Sequence, residues 1–340
     1  MNRSGPRRLR IGAVSRGLKI GGSGFTVCGF KTMVSNSKGR ILVVRGGSMG
    51  DFVLTLPVFA ALRGQFPDVP IEVLGYPRIA ELAKAAGLVD EVRSIETRAA
   101  AGFFARNAAL DEDLSRYFAR FSVIFSYLFD PDGFFQMNVS KVSAAQFIQG
   151  RARPDEGETL HASETFLKPL ERLAIFEADA VPKLALPERN GVSGRIAIHP
   201  NPETGARAWP EAKWRNLALA IAAQTSYRIV LVGDESQART LQRIAAELPV
   251  GRAAMVSSGG FGELAKELGG CQAFVGHDSG VSHLAAALGV PCVAVWGNSN
   301  ATIWQPRGAH VTVLRNRAGA IGVTQEDVLS ALPMVWSGAE

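Results

Sequence analysis

The sequence has no long hydrophobic run and few cysteines. No stretch of the 340 residues approaches the roughly 18 to 20 consecutive apolar residues that a membrane-spanning helix needs, although 47% of the chain is hydrophobic. The three cysteines, Cys28, Cys271 and Cys292, match neither a metal-ligand spacing nor a disulfide framework. A reducing cytoplasm suits such a chain, and its apolar content exceeds what one ordinary domain buries. We therefore expect a cytoplasmic protein with two α/β domains.

Acidic residues are missing from the amino-terminal segment. Residues 1–40 contain nine Lys and Arg but no Asp or Glu, so a whole-chain net charge of +6 leaves a net charge of −3 on the other 300 residues. A mildly acidic body argues against a nucleic-acid groove. We expect residues 1–38 to be a basic, disordered extension, because no apolar run before a cleavage site marks a signal peptide. A tail that touches anionic lipid headgroups is the alternative.

Short apolar runs alternate with helical patterns along the rest of the chain, which implies parallel strands joined by helices. We predict an α/β fold with one Rossmann-like domain over residues 39–185 and a second over 192–320. Residues 321–340 are expected to form a carboxy-terminal helix and tail. Ligands bind beyond the carboxyl ends of such strands, so two facing domains place the active site in a central cleft.

Several individual elements are also expected from the pattern. Residues 52–62 are predicted to form one amphipathic helix, residues 98–120 another, and residues 164–175 a third. Residues 121–128 resemble a strand. Pro and Gly pairs between residues 182 and 194 indicate the domain boundary.

The first candidate motif is RGGSMGD, residues 45–51, between a predicted strand and a predicted helix. The glycine-rich turn, with Gly47, Ser48 and Gly50, allows a ligand to approach the backbone closely. The spacing is neither a dinucleotide fingerprint nor a phosphate loop, because G-x-G-x-x-G and Gly-Lys-Ser/Thr are both absent. Asp51 at the helix start is either a helix N-cap or a general base that faces the cleft.

The second candidate motif is GHDSGVSH, residues 276–283, which follows a predicted strand and opens a small apolar helix. Backbone amides of a first helical turn, together with the helix dipole, can hold a diphosphate. Ser279 adds a hydroxyl donor. Asp278 is expected to cap the helix or to hold a sugar hydroxyl, since a carboxylate repels phosphate. His283 lies one turn into the helix and is either structural or part of the same site.

Two further loops follow strands of the second half. Arg207, in the polar loop after His199, is a candidate for holding an anion, whereas Trp209 is expected to plug the domain interface. Asp234 or Glu235 is placed to accept hydrogen bonds from a ribose, with a plain helix cap as an equal alternative.

Three segments together resemble glycosyltransferase family 9, the ADP-heptose:lipopolysaccharide heptosyltransferases. ILVVRGGSMGDFVLTLPVFAALRGQFPDVPIEVLGYP (residues 41–77) is similar to the opening of that family, with its Ser-x-Gly-Asp turn and Leu-Pro-containing helix. IAIHPNPETGARAWPEAKWRNLA (196–218) resembles the opening of the second domain. FVGHDSGVSHLAAALGVPCVAVWGNSNATIWQPRG (274–308) is similar to the donor-site block and is the most specific of the three.

The resemblance implies the two-domain glycosyltransferase-B fold, with an acceptor-side first domain and a second domain that binds the nucleotide sugar. It implies metal-independent, inverting transfer of a heptose from ADP-heptose, with no cofactor, to a lipopolysaccharide core or related glycan. Asp51 takes the position of the catalytic base. The positions that contact the donor are Arg207, Glu235, Asp278, Ser279, Gly280 and His283.

The resemblance leaves some alternatives open. Residues 125–142 lack the Asp-x-x-Gly-x-x-(Lys/Arg)-Ser run of characterised heptosyltransferases, so the resemblance identifies neither the acceptor nor the donated sugar. Another nucleotide sugar, an epimerase-like activity or a catalytically idle sugar-nucleotide-binding protein are the other hypotheses. A lipid-linked acceptor implies work at the cytoplasmic face of the inner membrane.

Overall fold

The computed structural model of the protein describes residues 39–186, 194–200, 208–257, 260–297 and 299–332. The predicted basic extension (1–38), most of the predicted linker and Arg207 lie outside these residues. No helix in the described part is both long and apolar enough to cross a membrane.

The first half of the chain builds a five-stranded, wholly parallel sheet in the order β3-β2-β1-β4-β5. Its elements are β1 (Ile41–Arg45), α1 (Met49–Val53), α2 (Leu56–Gln65), β2 (Ile71–Gly75), α3 (Pro77–Ala85), β3 (Glu91–Ser94), α4 (Arg98–Ala101), α5 (Glu112–Phe118), β4 (Val123–Ser126), α6 (Phe134–Val142), β5 (Gln146–Gln149) and α7 (Ala162–Leu167).

The second half builds a six-stranded parallel sheet in the order β11-β10-β9-β6-β7-β8. Its elements are β6 (Arg195–Ile198), α8 (Glu211–Gln224), β7 (Arg228–Gly233), α9 (Ala238–Glu247), β8 (Ala253–Ser257), α10 (Phe261–Gly269), β9 (Ala273–His277), α11 (Gly280–Ala287), β10 (Cys292–Val295), α12 (Ala301–Trp304), β11 (Val311–Leu314) and α13 (Gln325–Ala331).

Both sheets have the strand order of a Rossmann-like fold, which confirms the predicted fold class. The order reverses between β1 and β4 in the first sheet and between β6 and β9 in the second. Ligands of such folds bind beyond the strand ends at these switch points. The turns after β1 and β9, which carry the two strongest sequence motifs, therefore lie at the positions where the topology places a site.

The strands next to the switch points are apolar because helices cover both faces of the sheets. All five residues of β1 are buried, and its alternate residues enter different cores: Ile41 and Val43 join one cluster, Leu42 and Val44 another. Arg45 is the exception, a charged residue at the end of a buried strand. Both sheets lie inside the ranges predicted for the two domains, whose boundaries stay predictions.

Several predicted elements differ from those observed. The single helix expected over residues 98–120 is wrong, because Asp111 caps a new helix, α5, by accepting a hydrogen bond from the Leu114 amide. The helix expected over 164–175 turns into a 3₁₀-helix over Lys168–Leu173, which contains Pro169. The helix expected over 52–62 is divided between α1 and α2. The sequence reasoning missed α6, α12, β5, β8 and β11.

Trp209 is buried as expected, but it does not plug the interface between the halves. Its indole packs edge-on against Trp214 inside the core of the second half. Its Nε1 donates to the Val323 carbonyl oxygen at 2.8 Å. The aromatic ring thus fastens α13, whose Val328 joins the same core, to the second sheet.

Candidate active site

The turn after β1 and the turn after β9 touch through two glycines. A Cβ atom built on Gly280 would lie 2.9 Å from the Gly50 nitrogen and 3.3 Å from the Met49 Cβ. A Cβ on Gly50 would lie 3.4 Å from the Gly280 Cα and 3.5 Å from the His283 ring. A glycine at position 280 is therefore needed for the backbones of α1 and α11 to approach this closely, whereas a Cβ on Gly50 would make ordinary van der Waals contacts. The two motifs therefore meet across the boundary between the halves.

Asp51 lies in the first turn of α1, directly beside this contact. Ser48 is the N-cap residue of α1, so the expectation that Asp51 is itself the N-cap is wrong. Asp51 instead completes a capping box, in which its Oδ2 accepts from the Ser48 amide at 2.9 Å and from the Ser48 hydroxyl at 2.8 Å. Gly47 supports this arrangement with φ +93°, and a Cβ there would lie 2.8 Å from the same Oδ2.

The other carboxylate oxygen of Asp51, Oδ1, takes no part in the capping box. Among the described residues no hydrogen-bond donor reaches Oδ1, which lies 3.9 Å from Arg45 Nη2. The side chain is 11% exposed. One oxygen is therefore engaged in the cap, while the other remains for a ligand, so the structural and the catalytic interpretations of Asp51 are compatible.

Arg45 is a component of the site that the sequence reasoning did not assign. It is 2% exposed, and its guanidinium lies over the Phe166 ring at 4.4 Å. Burial lowers its pKa to about 10, against the opposing effect of the Asp51 charge. The available signal was its place as the one charged residue closing an otherwise apolar buried strand.

The amino terminus of α11 faces the same contact. Ser279 is its N-cap, but the Ser279 hydroxyl makes no cap hydrogen bond and lies 3.5 Å from the Ser282 hydroxyl. Ser279 rather than Asp278 is thus the N-cap residue, and the Asp278 carboxylate accepts a hydrogen bond from the Ser299 hydroxyl. The first amides of a helix have no intrahelical partner, so Gly280 and Val281 offer N–H groups to an anion.

Two buried histidines lie behind this contact. His283, on α11, has an Nδ1 atom without a partner among the described residues. His161, the N-cap of α7, donates from Nε2 to the Gln305 carbonyl oxygen and accepts at Nδ1 from Ser163, both at 2.8 Å. Desolvation lowers the pKa of each histidine to about 4, so both are neutral at pH 7.

The lowered pKa values of these two histidines predict that the folded protein becomes less stable in acid. Because the ordinary histidine pKa is about 6.5, the unfolded chain takes up protons before the folded chain as the pH falls. Stability is then complete above pH 6.5 and is lost progressively toward pH 4, at about 1.4 kcal/mol per pH unit for each histidine. We expect His161→Asn, which keeps a good N-cap residue, to flatten this dependence in urea unfolding between pH 4.5 and 7.5.

His310→Asn is the matched control, because His310 also bonds a backbone carbonyl, that of Ala286, but outside this pair. If the stability of His161→Asn depended on pH as steeply as that of the wild type, His161 would not contribute to the loss of stability in acid.

Further contacts join residues 153–164 of the first half to residues 300–307 of the second; we call them the interdomain bridge. Trp304 Nε1 donates to Glu156 Oε1 at 2.9 Å, and Arg153 lies over the Trp304 ring at 4.8 Å. Arg307 pairs with Glu164 at 3.2 Å. With the His161–Gln305 bond, these contacts fix α12 and the loop after it against α7 and the loop after β5.

The remaining predicted donor positions lie at the carboxyl ends of neighbouring strands. Glu235 is exposed beyond β7, and Asp234 before it caps a short 3₁₀-helix by accepting from the Ser236 and Gln237 amides. His199 and His277, after β6 and at the end of β9, stack with ring centroids 4.7 Å apart.

A groove of 560 Å³ opens beyond the neighbouring strands β4 and β5 of the first sheet. It is lined by residues 128–131, which follow β4, and 150–155, which follow β5. Its lining carries Arg151 and Arg153 together with Asp130 and Asp155, so positive and negative groups balance, and Phe129 lies exposed at it. Since β4 neighbours β1 in the sheet, the groove and Asp51 lie on the same rim.

Two Rossmann-like halves that meet at a carboxylate and at an open helix amino terminus define a glycosyltransferase of the GT-B fold. The model of glycosyltransferase family 9 (heptosyltransferase) matches residues 174–330. This part of the chain, which holds the second sheet, is similar to that family.

Individual relatives agree with this assignment. The chain is 36% identical over 92 residues to lipopolysaccharide heptosyltransferase 1 of Pseudomonas aeruginosa, a match that covers 27% of this chain and 25% of that protein. A glycosyl transferase family 9 structure from Veillonella parvula superposes with TM-score 0.69 at 19% identity, covering 86% of this chain and 96% of that one. Escherichia coli heptosyltransferase WaaC with ADP gives TM-score 0.66 at 18% identity, covering 86% and 98%. The structural likeness supports the fold.

Proposed function

We propose that the chain transfers a heptose from ADP-heptose to a lipopolysaccharide core or related glycan acceptor, without a metal and with inversion at the anomeric carbon. One observation carries this proposal: the Asp51 carboxylate and the amino terminus of α11 lie side by side, in contact through Gly50 and Gly280. A base and an anion-binding helix end are the two parts that a single displacement at a sugar diphosphate requires.

The proposed step is a direct in-line displacement. Asp51 Oδ1 takes the proton of an acceptor hydroxyl while that oxygen forms a bond to the anomeric carbon. The bond from the anomeric carbon to the diphosphate oxygen breaks, and its electron pair leaves with ADP. The Gly280 and Val281 amides and the Ser279 hydroxyl stabilise the charge that develops on ADP. Arg207 stays a predicted contact for the same phosphates.

The donor assignment rests on the family and on the strand ends of the second half. A solved relative binds ADP. Glu235 is exposed beyond β7 and is not the cap residue of the 3₁₀-helix, so we propose that its carboxylate accepts from a ribose hydroxyl, whereas Asp234 caps that helix. The Asp278 carboxylate accepts a hydrogen bond from the Ser299 hydroxyl, which holds it beside the amino terminus of α11. His283 is a buried residue of the same helix. All of these residues are proposed donor-site positions.

The acceptor is proposed to bind on the side of the first sheet, in the groove beyond β4 and β5. A lipid-linked acceptor would place the protein at the cytoplasmic face of the inner membrane, with the basic residues 1–38 toward the anionic surface. The proposed partners of the protein are the nucleotide sugar and the glycan, and they do not include a nucleic acid.

A donor panel tests the proposal. We expect ADP-heptose and a heptose-free lipopolysaccharide core to give ADP release and an acceptor that gains one heptosyl unit by mass spectrometry, in EDTA as without it. ADP at 100 times its dissociation constant should stabilise the fold by about 2.7 kcal/mol. Transfer from UDP- or GDP-sugars alone would reassign the donor. Binding of ADP without turnover would favour a sugar-nucleotide-binding protein.

A further inference from the structure

The Arg45 guanidinium makes hydrogen bonds to three separate segments of the first half. Its Nη2 donates to the Asp51 carbonyl oxygen at 3.0 Å, and its Nη1 donates to the carbonyl oxygens of Ala152 at 2.9 Å and Tyr127 at 3.3 Å. These three carbonyls belong to α1, to the loop after β5 and to the end of β4. One guanidinium therefore ties together the turn of the candidate base and both sides of the 560 Å³ groove.

The burial of this guanidinium costs free energy. Its Nε has no hydrogen-bond partner among the described residues, and the side chain is 2% exposed. A buried cation with an unpaired donor is costly, and an apolar side chain of similar volume fills such a place without that cost. The charge is therefore better explained by its neighbours than by packing.

The neighbours of the guanidinium are the parts of the candidate site. Arg45 Nη2 lies 3.9 Å from Asp51 Oδ1, the oxygen that the capping box leaves free. The planar group lies over the Phe166 ring of α7 at 4.4 Å, and α7 also carries the His161 end of the interdomain bridge. A lysine has no planar fork that reaches three carbonyls and stacks on a ring.

We propose that Arg45 is a positioning residue for Asp51: it fixes the carboxylate relative to the acceptor groove, so that the base and the groove loops move as one unit. This inference rests on the proposed role of Asp51 as the base. It differs from that role because Arg45 touches no substrate and acts through the Asp51 turn and through the loop at Ala152.

The first test does not depend on activity. We expect Arg45→Met to speed amide hydrogen exchange in peptides that cover residues 46–55 and 150–155, and to leave the second half unchanged. Arg252→Met is the matched control, because Arg252 also ties carbonyls, those of Thr225 and Tyr227, within the second half. Arg252→Met should speed amide hydrogen exchange in the second half instead. Unchanged exchange over residues 46–55 in Arg45→Met would overturn the proposal.

The second test separates positioning from general destabilisation. We expect Arg45→Met to lower kcat by about 10²-fold, the order of loss that a misplacement of about 1 Å causes, with the donor KM within about 2-fold of the wild type. In an Asp51→Asn background the same substitution should add less than about 2-fold. Arg45→Lys, which keeps the charge, should recover part of the loss. An equal loss in both backgrounds would show that Arg45 does not act through Asp51.

The two tests fail in different ways. If the wild-type chain transfers no sugar from any donor, the proposed function falls, while the exchange pattern still decides whether Arg45 holds the Asp51 turn to the groove loops. If Arg45→Met does not fold, Arg45→Lys carries the exchange experiment, since it keeps the charge but loses the fork. Slower transfer by Arg45→Lys with wild-type exchange over residues 46–55 would overturn the positioning role.

Discussion

Replacement of Asp51 by asparagine is expected to lower sugar transfer by about 10²- to 10⁴-fold, the usual contribution of a general base. The amide oxygen of asparagine can still accept from the Ser48 amide, so the capping box and the fold should persist. The amide cannot take the proton of the acceptor hydroxyl. ADP affinity, measured by calorimetry, should remain within about 2-fold, because the proposed diphosphate contacts lie on α11 and not on α1.

The chain contains a matched control for this substitution. Asp327 occupies the same position in the capping box of α13, where its Oδ2 accepts from the Thr324 amide at 2.9 Å. Asp327→Asn changes the same chemical group in the same local geometry, away from the candidate site. An equal loss of transfer in both variants would mean that Asp51 acts only as a cap, and full activity of Asp51→Asn would exclude it as the base.

Substitution of Gly280 by alanine is expected to lower kcat by about 10²-fold. The new Cβ would lie 2.9 Å from the Gly50 nitrogen, closer than real Cβ atoms come to backbone, so α1 and α11 must separate. A shift of about 1 Å between the base and the helix that holds the leaving group is enough for a loss of this order. Steady-state kinetics with saturating ADP-heptose, compared with thermal unfolding, measures the effect.

Gly269→Ala is the control for this second substitution. Gly269 ends α10, and a Cβ there meets no atom within 4 Å, so alanine should leave both transfer and stability near the wild-type values. Wild-type kcat in Gly280→Ala would indicate that the close contact of the two turns is not needed for the reaction.

The fold could be predicted from the sequence because the central strands are buried on both faces. Such strands read as short, continuous apolar runs, as in Ile41–Arg45 and Cys292–Val295. The three missed strands, β5, β8 and β11, all lie at the edge of a sheet. Edge strands are partly exposed, so polar residues such as Gln146 and Thr312 interrupt the apolar pattern that would reveal them.

The candidate site could be predicted in part. A strand–turn–helix pattern places Asp51 and Ser279 at strand ends, since parallel topology brings those ends to one rim. The pattern does not reveal that Ser48 rather than Asp51 caps α1, because both residues fit a helix start. The contacts of Arg45 with Tyr127 and Ala152 depend on residues more than 80 positions away, and no local spacing encodes them.

The interdomain bridge bears on how the cycle ends. Separation of the two halves would break the Trp304–Glu156 bond, the Arg307–Glu164 pair and the His161–Gln305 bond together. These links join the same two segments, so the loss of one favours the loss of the others. We expect these links to oppose any opening of the halves that precedes nucleotide exit, while the bond-making event sets the turnover rate that the Asp51 and Gly280 substitutions lower.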